Sequence, residues 1–422
     1  MIDYLQAVYE FVTNRKIFPK DKTALELIVR SFSLSDGGKI QRLEAVTNHD
    51  FKAIEQFLAN AMKKKKLERL IPYVNLGIGS EDVNSIAFTR LVGECRTQVL
   101  LPQLQIVSGA LSTLAQQEKN TRMVARTHAQ AASLTTFGKE VANSLLRLCD
   151  EVEIFKSMRL KAKCAGEVGS LEAFAVIDGH KDWLAFTDAF IGRYGMISTH
   201  AATQIAPYDS LIRLLESLGR INGILLDFVK NIWLYVLVGY VKIVKVDAEV
   251  GSAGLPHKVN PIYFEGAEGG LVMANGDIET ISRQLLVNRL QRDFSDSTIR
   301  RMVVVPLSLS LLSYQSIAEG LRRLTVDHEV ISESLARHPE VSLEMVKVFG
   351  TTHGIADMFE RLKGKTRGKN LTKDDLDALI SDLPLSEKEK NQLRELLEKH
   401  ENPYPGRIVD EAVVKAKKIF SL

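Results

Sequence analysis

Apolar residues recur every three or four positions over long stretches of the chain, the repeat expected of helices with one buried face. Leu307, Leu311, Tyr314, Ile317, Leu321 and Leu324 form the clearest stripe, whereas alternating, strand-like patterns are scarce. Proline removes a helix hydrogen bond and clashes with the preceding turn. None of the 11 prolines falls between Pro102 and Pro207, between Pro207 and Pro256, or between Pro261 and Pro306, so very long helices are permitted. The tail reads as shorter helices: Thr372–Asp375 and Ser386–Glu389 have the form of capping boxes, with a break at Leu383-Pro384. We therefore expect an all-α chain. Its expected parts are an N-terminal helical domain (1–81), a central long-helix bundle (82–325) and a C-terminal helical domain (326–422).

The most apolar segment, Ile221 to Val246, is interrupted by Asp227 and Lys230. Its longest uncharged run is well short of the ~20 residues a membrane span needs, so a buried helix is expected. A chain of 422 residues with 45% hydrophobic and 25% charged residues is an ordinary globular balance of two or three domains. A net charge of +3, from 55 basic and 52 acidic residues, demands no nucleic-acid partner but leaves room for a local anion site. Cys95, Cys149 and Cys164 lack metal-type spacing and read as reduced thiols. With no secretory pattern at the start of the chain, they point to the cytoplasm. The run Lys63 to Lys66 reads either as a solvated helix end or as a phosphate patch.

Candidate chemistry concentrates in Gly251-Ser-Ala-Gly-Leu-Pro-His-Lys-Val-Asn-Pro261. Two glycines loosen one end of this loop and two prolines stiffen the other. Between them lie a hydroxyl (Ser252), a cation (Lys258) and an amide (Asn260), a combination suited to a lid that completes a site on closure. The same composition also suits a solvent-exposed turn between helices. Gly251-Ser252-Ala-Gly254 is not the GxSxG elbow of a serine hydrolase, and no motif of a catalytic metal is present.

The loop resembles the signature segment of the fumarase/aspartase superfamily, GSSxMPxKxNP. Its flanks, His257 and Ile262-Tyr-Phe-Glu265, resemble the adenylosuccinate lyase family of the longer bacterial type. Thr47-Asn-His-Asp50, Ser80-Glu-Asp82, Arg126-Thr-His-Ala-Gln130, Thr203-Gln-Ile205 and Leu290-Gln-Arg-Asp-Phe-Ser-Asp-Ser-Thr298 follow in that family's order. The resemblance implies elimination of fumarate from an N-succinyl substrate: adenylosuccinate to AMP, and the succinyl-aminoimidazole carboxamide ribotide, both steps of purine biosynthesis. Such a carbon–nitrogen lyase needs a base and an acid on opposite faces of the substrate, and fixed cations where carbanion charge develops. It needs no cofactor and no metal.

The resemblance makes Ser252 in loop 247–262 the base and His128 the acid. Glu265 would orient the acid, and Lys258 with Asn260 would grip the succinyl carboxylates. Substrate contacts are expected from Asn48, His49, Asp50, Ser80, Thr127 and Gln204, with Arg292, Ser297 and Arg301 on the phosphate. Two local readings remain open: Asn48 or Asp50 as a helix cap, and Arg292-Asp293 as an exposed ion pair. The other histidines, His338 among them, match no motif. The resemblance also implies a homotetramer with a shared central bundle and sites built from three chains, a small-molecule succinyl-nucleotide as partner, and no membrane.

Departures from the family pattern fall mostly on the nucleotide half. Ala253 and Leu255 replace a serine and a methionine, and Ala129 replaces a glycine. Asn75 stands for a histidine, Gly79 for a threonine and Tyr208 for a histidine, while Ala165 and Ser170 occupy a region of asparagines. A family N-terminal segment with an Arg-Tyr pair has no counterpart in this sequence. Besides an adenylosuccinate-cleaving enzyme, two readings stay open: a paralogue acting on another N-succinyl compound, and a non-catalytic homologue that keeps the scaffold.

Overall fold

The computed structural model describes residues 1–245, 255, 257–369, 371–399 and 402–420. It is an all-α protein in which six short strands make three two-stranded sheets among the described residues. The long helices predicted from proline spacing are present at Asp209–Leu237 (29 residues) and Ile262–Leu285 (24 residues). The stripe beginning at Leu307 lies on helix Val304–Arg322, with Leu307, Tyr314 and Ile317 buried. Its last member does not belong to that helix. Leu324 opens a short strand, Leu324–Val326, that pairs with Val241–Ile243.

Both capping boxes form. Thr372 Oγ1 accepts from the Asp375 amide at 3.1 Å while the Asp375 carboxylate accepts from the Thr372 amide at 2.8 Å. Ser386 and Glu389 do the same at 3.3 and 2.7 Å. The Lys63–Lys66 run falls at the exposed end of helix Asp50–Lys64. Stretch Ser295–Arg322 is apolar enough by composition to cross a membrane. Yet Ser310 and Tyr314 within it are buried against Asn222, as in the core helix of a folded domain.

The chain divides into two compact units. The first comprises Met1–Gln98, Ser157–Glu216 and Glu279–Val303. One of its cores packs Leu5, Leu25, Met62 and Leu70. A second is aromatic, with Tyr4, Phe174, Trp183, Phe186 and Phe190 meeting largely edge to face.

The second unit comprises Val99–Lys156, Ser217–Ile278 and Val304–Leu422. Here the amide of Asn222 donates to Asn275 at 3.0 Å and to Ser310 at 2.9 Å, and its carbonyl oxygen accepts from Tyr314. Such a fully paired polar group fixes the register of the helices around it. Gly270 lets one of those helices approach another closely: a Cβ there would stand 2.3 Å from the Ser313 hydroxyl.

The second unit also carries a hairpin that the sequence pattern does not announce. Strands β1 (Arg122–Thr127) and β2 (Gln130–Thr136) pair antiparallel, with a register shift between Ala125 and Arg126. The two-residue turn is His128-Ala129, with φ of 53° and 63°. Positive φ at both central residues is the mark of a type I′ turn, which favours Asn-Gly because a Cβ is strained there. We expect Ala129→Gly to stabilise this unit by about 0.5–1 kcal/mol, relief of left-handed strain being partly offset by the greater unfolded entropy of glycine. Urea denaturation of the two proteins would measure it.

Candidate active site

Helix Ser80–Cys95 in the first unit organises the surroundings of the cleft, because its first turn carries two buried carboxylates. Asp82 is 1% exposed and accepts from the amides of Gly79 (2.8 Å), Ala165 (2.8 Å) and Gly166 (3.0 Å). Its counter-charge is Lys163, which is 0% exposed, at 3.2 Å. The Lys163 ammonium also donates to the carbonyls of Gly166 (2.7 Å), Thr203 (3.2 Å) and Gln204 (2.7 Å). Burial raises the Asp82 carboxyl's affinity for a proton, opposed by Lys163 and the backbone amides. One buried ion pair thus clamps three chain segments: the helix start, the 163–166 turn and the Gln204 backbone.

Glu81, next in the chain, faces the other way. Its two oxygens hold Arg300 (Nη1 to Oε2, 2.8 Å) and Arg292 (Nη2 to Oε1, 3.1 Å). Arg292 further donates to Gln204 Oε1 at 3.3 Å and lies 3.7 Å from the Asp296 carboxylate. It makes no pair with Asp293, so the exposed Arg292-Asp293 ion pair is not formed. Tyr208 donates to Asp296 at 2.7 Å and accepts from Arg300 at 3.2 Å. Phe88 and Phe294 lie under the guanidinium groups of Arg300 and Arg292. Burial acts to raise the Glu81 pKa. The hydrogen bond and charge of Arg300, with Asn84 and Arg292, outweigh it and hold the carboxyl below its ordinary value.

Of these groups, Glu81, Asn84, Gln204, Arg292, Phe294 and Arg300 line a cleft of about 1070 Å³ contained within the first unit. Eight of the sequence-derived substrate residues line it: Asn48, His49, Asp50, Ser80, Gln204, Arg292, Ser297 and Arg301. They come from four separate stretches of chain. Arg301 is exposed and has no carboxylate partner among the described residues. His49 caps helix Asp50–Lys64, its Nδ1 accepting from the Lys52 amide at 3.4 Å. That bond needs Nδ1 unprotonated, which leaves Nε2 to carry the donor hydrogen. Asn48 closes the preceding helix, Leu34–Thr47, with a left-handed φ of 49°, and Asp50 accepts from Phe51 at 2.7 Å. Asn48 is thus a helix cap, at the C-terminal end of the preceding helix, while the N-cap of Asp50–Lys64 is His49 rather than Asp50.

Two departures from the family pattern have a structural account here. Asn75 donates to Glu55 at 3.1 Å in the cleft wall. At Gly79 a Cβ would stand 2.9–3.0 Å from the Glu167 carboxylate, which accepts from Gln204 Nε2 at 3.3 Å. Glycine at 79 leaves the space that this carboxylate occupies.

The residues assigned to catalysis lie elsewhere in the chain. His128 and Thr127 sit at the exposed end of the β1–β2 hairpin rather than on a helix. Glu265 is on helix Ile262–Leu285 and accepts from Trp233 Nε1 at 3.2 Å. Lys258 is exposed, its amide donating to Leu255 at 3.1 Å, and Asn260 is half-buried. Ser252 lies outside the described residues. Sequence reasoning overlooked Lys163, Glu81, Glu167 and Arg300. The acidic pair opening a helix and the tandem Arg300-Arg301 were the available signals; for Lys163 there was none.

Residues 7–276 match the family described as "Lyase", and residues 288–400 match "Adenylosuccinate lyase C-terminal". The chain is 33% identical over 371 residues to the adenylosuccinate lyase of Escherichia coli K12, covering 88% of this chain and 81% of that one. The chain belongs to the adenylosuccinate lyase family. Within that family it is 36% identical over 383 residues to the adenylosuccinate lyase of Dictyostelium discoideum, covering 89% of this chain and 82% of that one. Among solved structures, its fold is similar to that of the 3-carboxy-cis,cis-muconate lactonizing enzyme of Pseudomonas putida (TM-score 0.75, 18% identity, 100% of this chain and 94% of that one). It is likewise similar to a fumarate lyase of Mesorhizobium sp. BNC1 (TM-score 0.74, 15% identity, 100% and 93%). As a member of the adenylosuccinate lyase family, the protein is an enzyme of the carbon–nitrogen lyase type.

The clamp and the Glu81 cluster yield distinct predictions. Lys163→Met strands a buried carboxylate and should cost about 3–5 kcal/mol of stability. Glu81 is held below its usual pKa of 4.5 in the folded protein, so its contribution is complete above that value. The contribution is lost as pH falls through the lowered folded value. Glu81→Gln should therefore flatten the fall in unfolding free energy on the acid side of pH 4.5. Urea titrations across that range compare the two proteins.

Proposed function

We propose that the protein eliminates fumarate from adenylosuccinate to give AMP, and from the matching succinyl-aminoimidazole carboxamide ribotide, in the cytoplasm. The observation that carries this reading is the cleft: residues matched to the family's nucleotide and phosphate contacts from distant parts of the sequence line one cavity. Arg301 offers an uncommitted cation to a phosphate, and Gln204, held between Arg292 and Glu167, offers an oriented amide. In the elimination, Ser252 removes the proton next to a succinyl carboxylate and His128 protonates the departing nitrogen. Lys258 and Asn260 stabilise the carboxylates as charge builds up, with Glu265 orienting the acid. No cofactor or metal takes part.

The cleft's own charge supports a site completed by other segments. Its lining holds six carboxylates (Glu44, Asp50, Glu55, Glu81, Glu167, Asp293) against four cations (Lys52, Arg292, Arg300, Arg301). That balance is unfavourable for a substrate bearing two carboxylates and a phosphate, unless further cations are supplied. A homotetramer with shared sites supplies them. Its support in the second unit is the apolar surface on three long helices, where Trp233, Leu237, Met273 and Leu312 are exposed. Exposed apolar faces of this kind mark association surfaces. The 1–81, 82–325 and 326–422 division then describes the N-terminal, bundle and C-terminal parts of each subunit.

A second reading, cleavage of a different N-succinyl compound, is favoured by one observation: the Glu167 carboxylate beside Gln204. Fumarate release followed spectroscopically with adenylosuccinate decides between the two, since turnover at ordinary enzyme rates rules out the second. Ser252→Ala and His128→Ala should each lower kcat by about 10²–10⁴-fold. A non-catalytic homologue would release no fumarate from any succinyl substrate, as wild type or with either substitution, and an unchanged finite rate in both variants would refute the assigned base and acid. Arg301→Ala should raise KM for adenylosuccinate while leaving KM for its dephosphorylated nucleoside unchanged. Light scattering at micromolar concentration should give a tetramer mass; a monomer mass would refute the shared site.

A further inference from the structure

We propose that His338 is a positioning residue for the general acid, acting through Arg126 to fix the hairpin that presents His128; this rests on the assignment of His128 as the acid. His338 Nε2 lies 3.4 Å from Arg126 Nη2, and its Nδ1 lies 2.7 Å from Glu340 Oε1. A guanidinium only donates, so Nε2 must be the unprotonated acceptor, and Nδ1 must carry the hydrogen given to Glu340. Glu340 thus sets the tautomer that lets His338 hold an arginine.

The place of this tether on the hairpin gives it its consequence. Arg126 stands at the register shift of β1, two residues before His128, which opens the turn. A shift of this kind bends a strand and re-aims the side chains beyond it. On β2, just past the same irregularity, Ser133 donates to Glu344 at 2.6 Å. Both tethers come from the segment Pro339–Ser342 and its flanks. The tip beyond them is a turn with two strained left-handed residues and no buried side chain of its own. Its direction is therefore set by the tethers at its base, and a small rotation there displaces the His128 imidazole. Misplacing a proton donor costs turnover more than binding.

The test is steady-state fumarate release from adenylosuccinate by the purified protein. His338→Ala should lower kcat about tenfold or more with KM within about twofold. His338→Gln, whose amide can both accept and donate, should recover most of that loss. Arg126→Leu removes the tether from its other end and should reproduce the alanine effect, which keeps the inference testable if His338→Ala does not fold. A kcat for His338→Ala within about twofold of wild type, or a glutamine variant as impaired as alanine, overturns the proposal. If wild-type protein does not turn over adenylosuccinate, the functional reading fails instead. The tether is then judged separately by ¹⁵N NMR of the His338 ring at neutral pH. The Nδ1–H tautomer supports it, and an Nε2–H tautomer or an imidazolium overturns it.

Discussion

An ammonium and a carboxylate removed from water, Lys163 and Asp82, hold together the part of the molecule in which the cleft is formed. Neither group tolerates such burial alone. Desolvating an ion costs several kcal/mol, recovered only when charge and hydrogen bonds are both satisfied. Here each partner is saturated by backbone. Asp82 fixes the start of helix Ser80–Cys95 and the turn at Ala165-Gly166, while Lys163 gathers the carbonyls of Gly166, Thr203 and Gln204. Ser80, Glu81 and Gln204 reach the cleft from a frame that this pair makes rigid. Arg292 and Arg300 are then placed by Glu81, so the order of the site runs outward from one interior contact.

Much of the fold and of the cleft lining was legible in the sequence, for reasons that differ by element. Proline spacing and helical periodicity are local properties, and they announced the long helices. Capping boxes are four-residue chemistry, and both tail examples form. Motif order located eight cleft residues because each motif brings its own short backbone context. What was not legible depends on contacts across the chain. The β1–β2 hairpin lacks the glycine or asparagine that would signal its turn. Lys163 looks like any surface lysine until its three carbonyl partners are known. Leu324 continues a helical spacing numerically, but the chain has already turned to pair with Val241–Ile243. His49 acts as an N-cap, a role rarely given to an imidazole, so Asn48 and Asp50 drew attention first.

The placement of the groups proposed for catalysis contrasts with that of the groups proposed for recognition. Behind the cleft lie the buried Glu81 and the half-buried Arg292 and Arg300 paired with it, whereas His128, Lys258 and Glu265 are exposed. Rigid elements suit the discrimination of a ligand by buried polar contacts. Of the groups proposed for catalysis, His128 stands at the end of a hairpin and Glu265 in the first turn of a helix.

Gly79 and Glu167 together describe a choice between two occupants of one space. A side chain at position 79 and a carboxylate at position 167 compete for the same few cubic ångströms. Glutamate is flexible enough to yield, so a larger residue at 79 would evict it from Gln204 without disturbing the backbone. The two positions are therefore coupled sterically. Placing the acid opposite a larger residue would hold it askew, whereas glycine without the acid would cost only a small void.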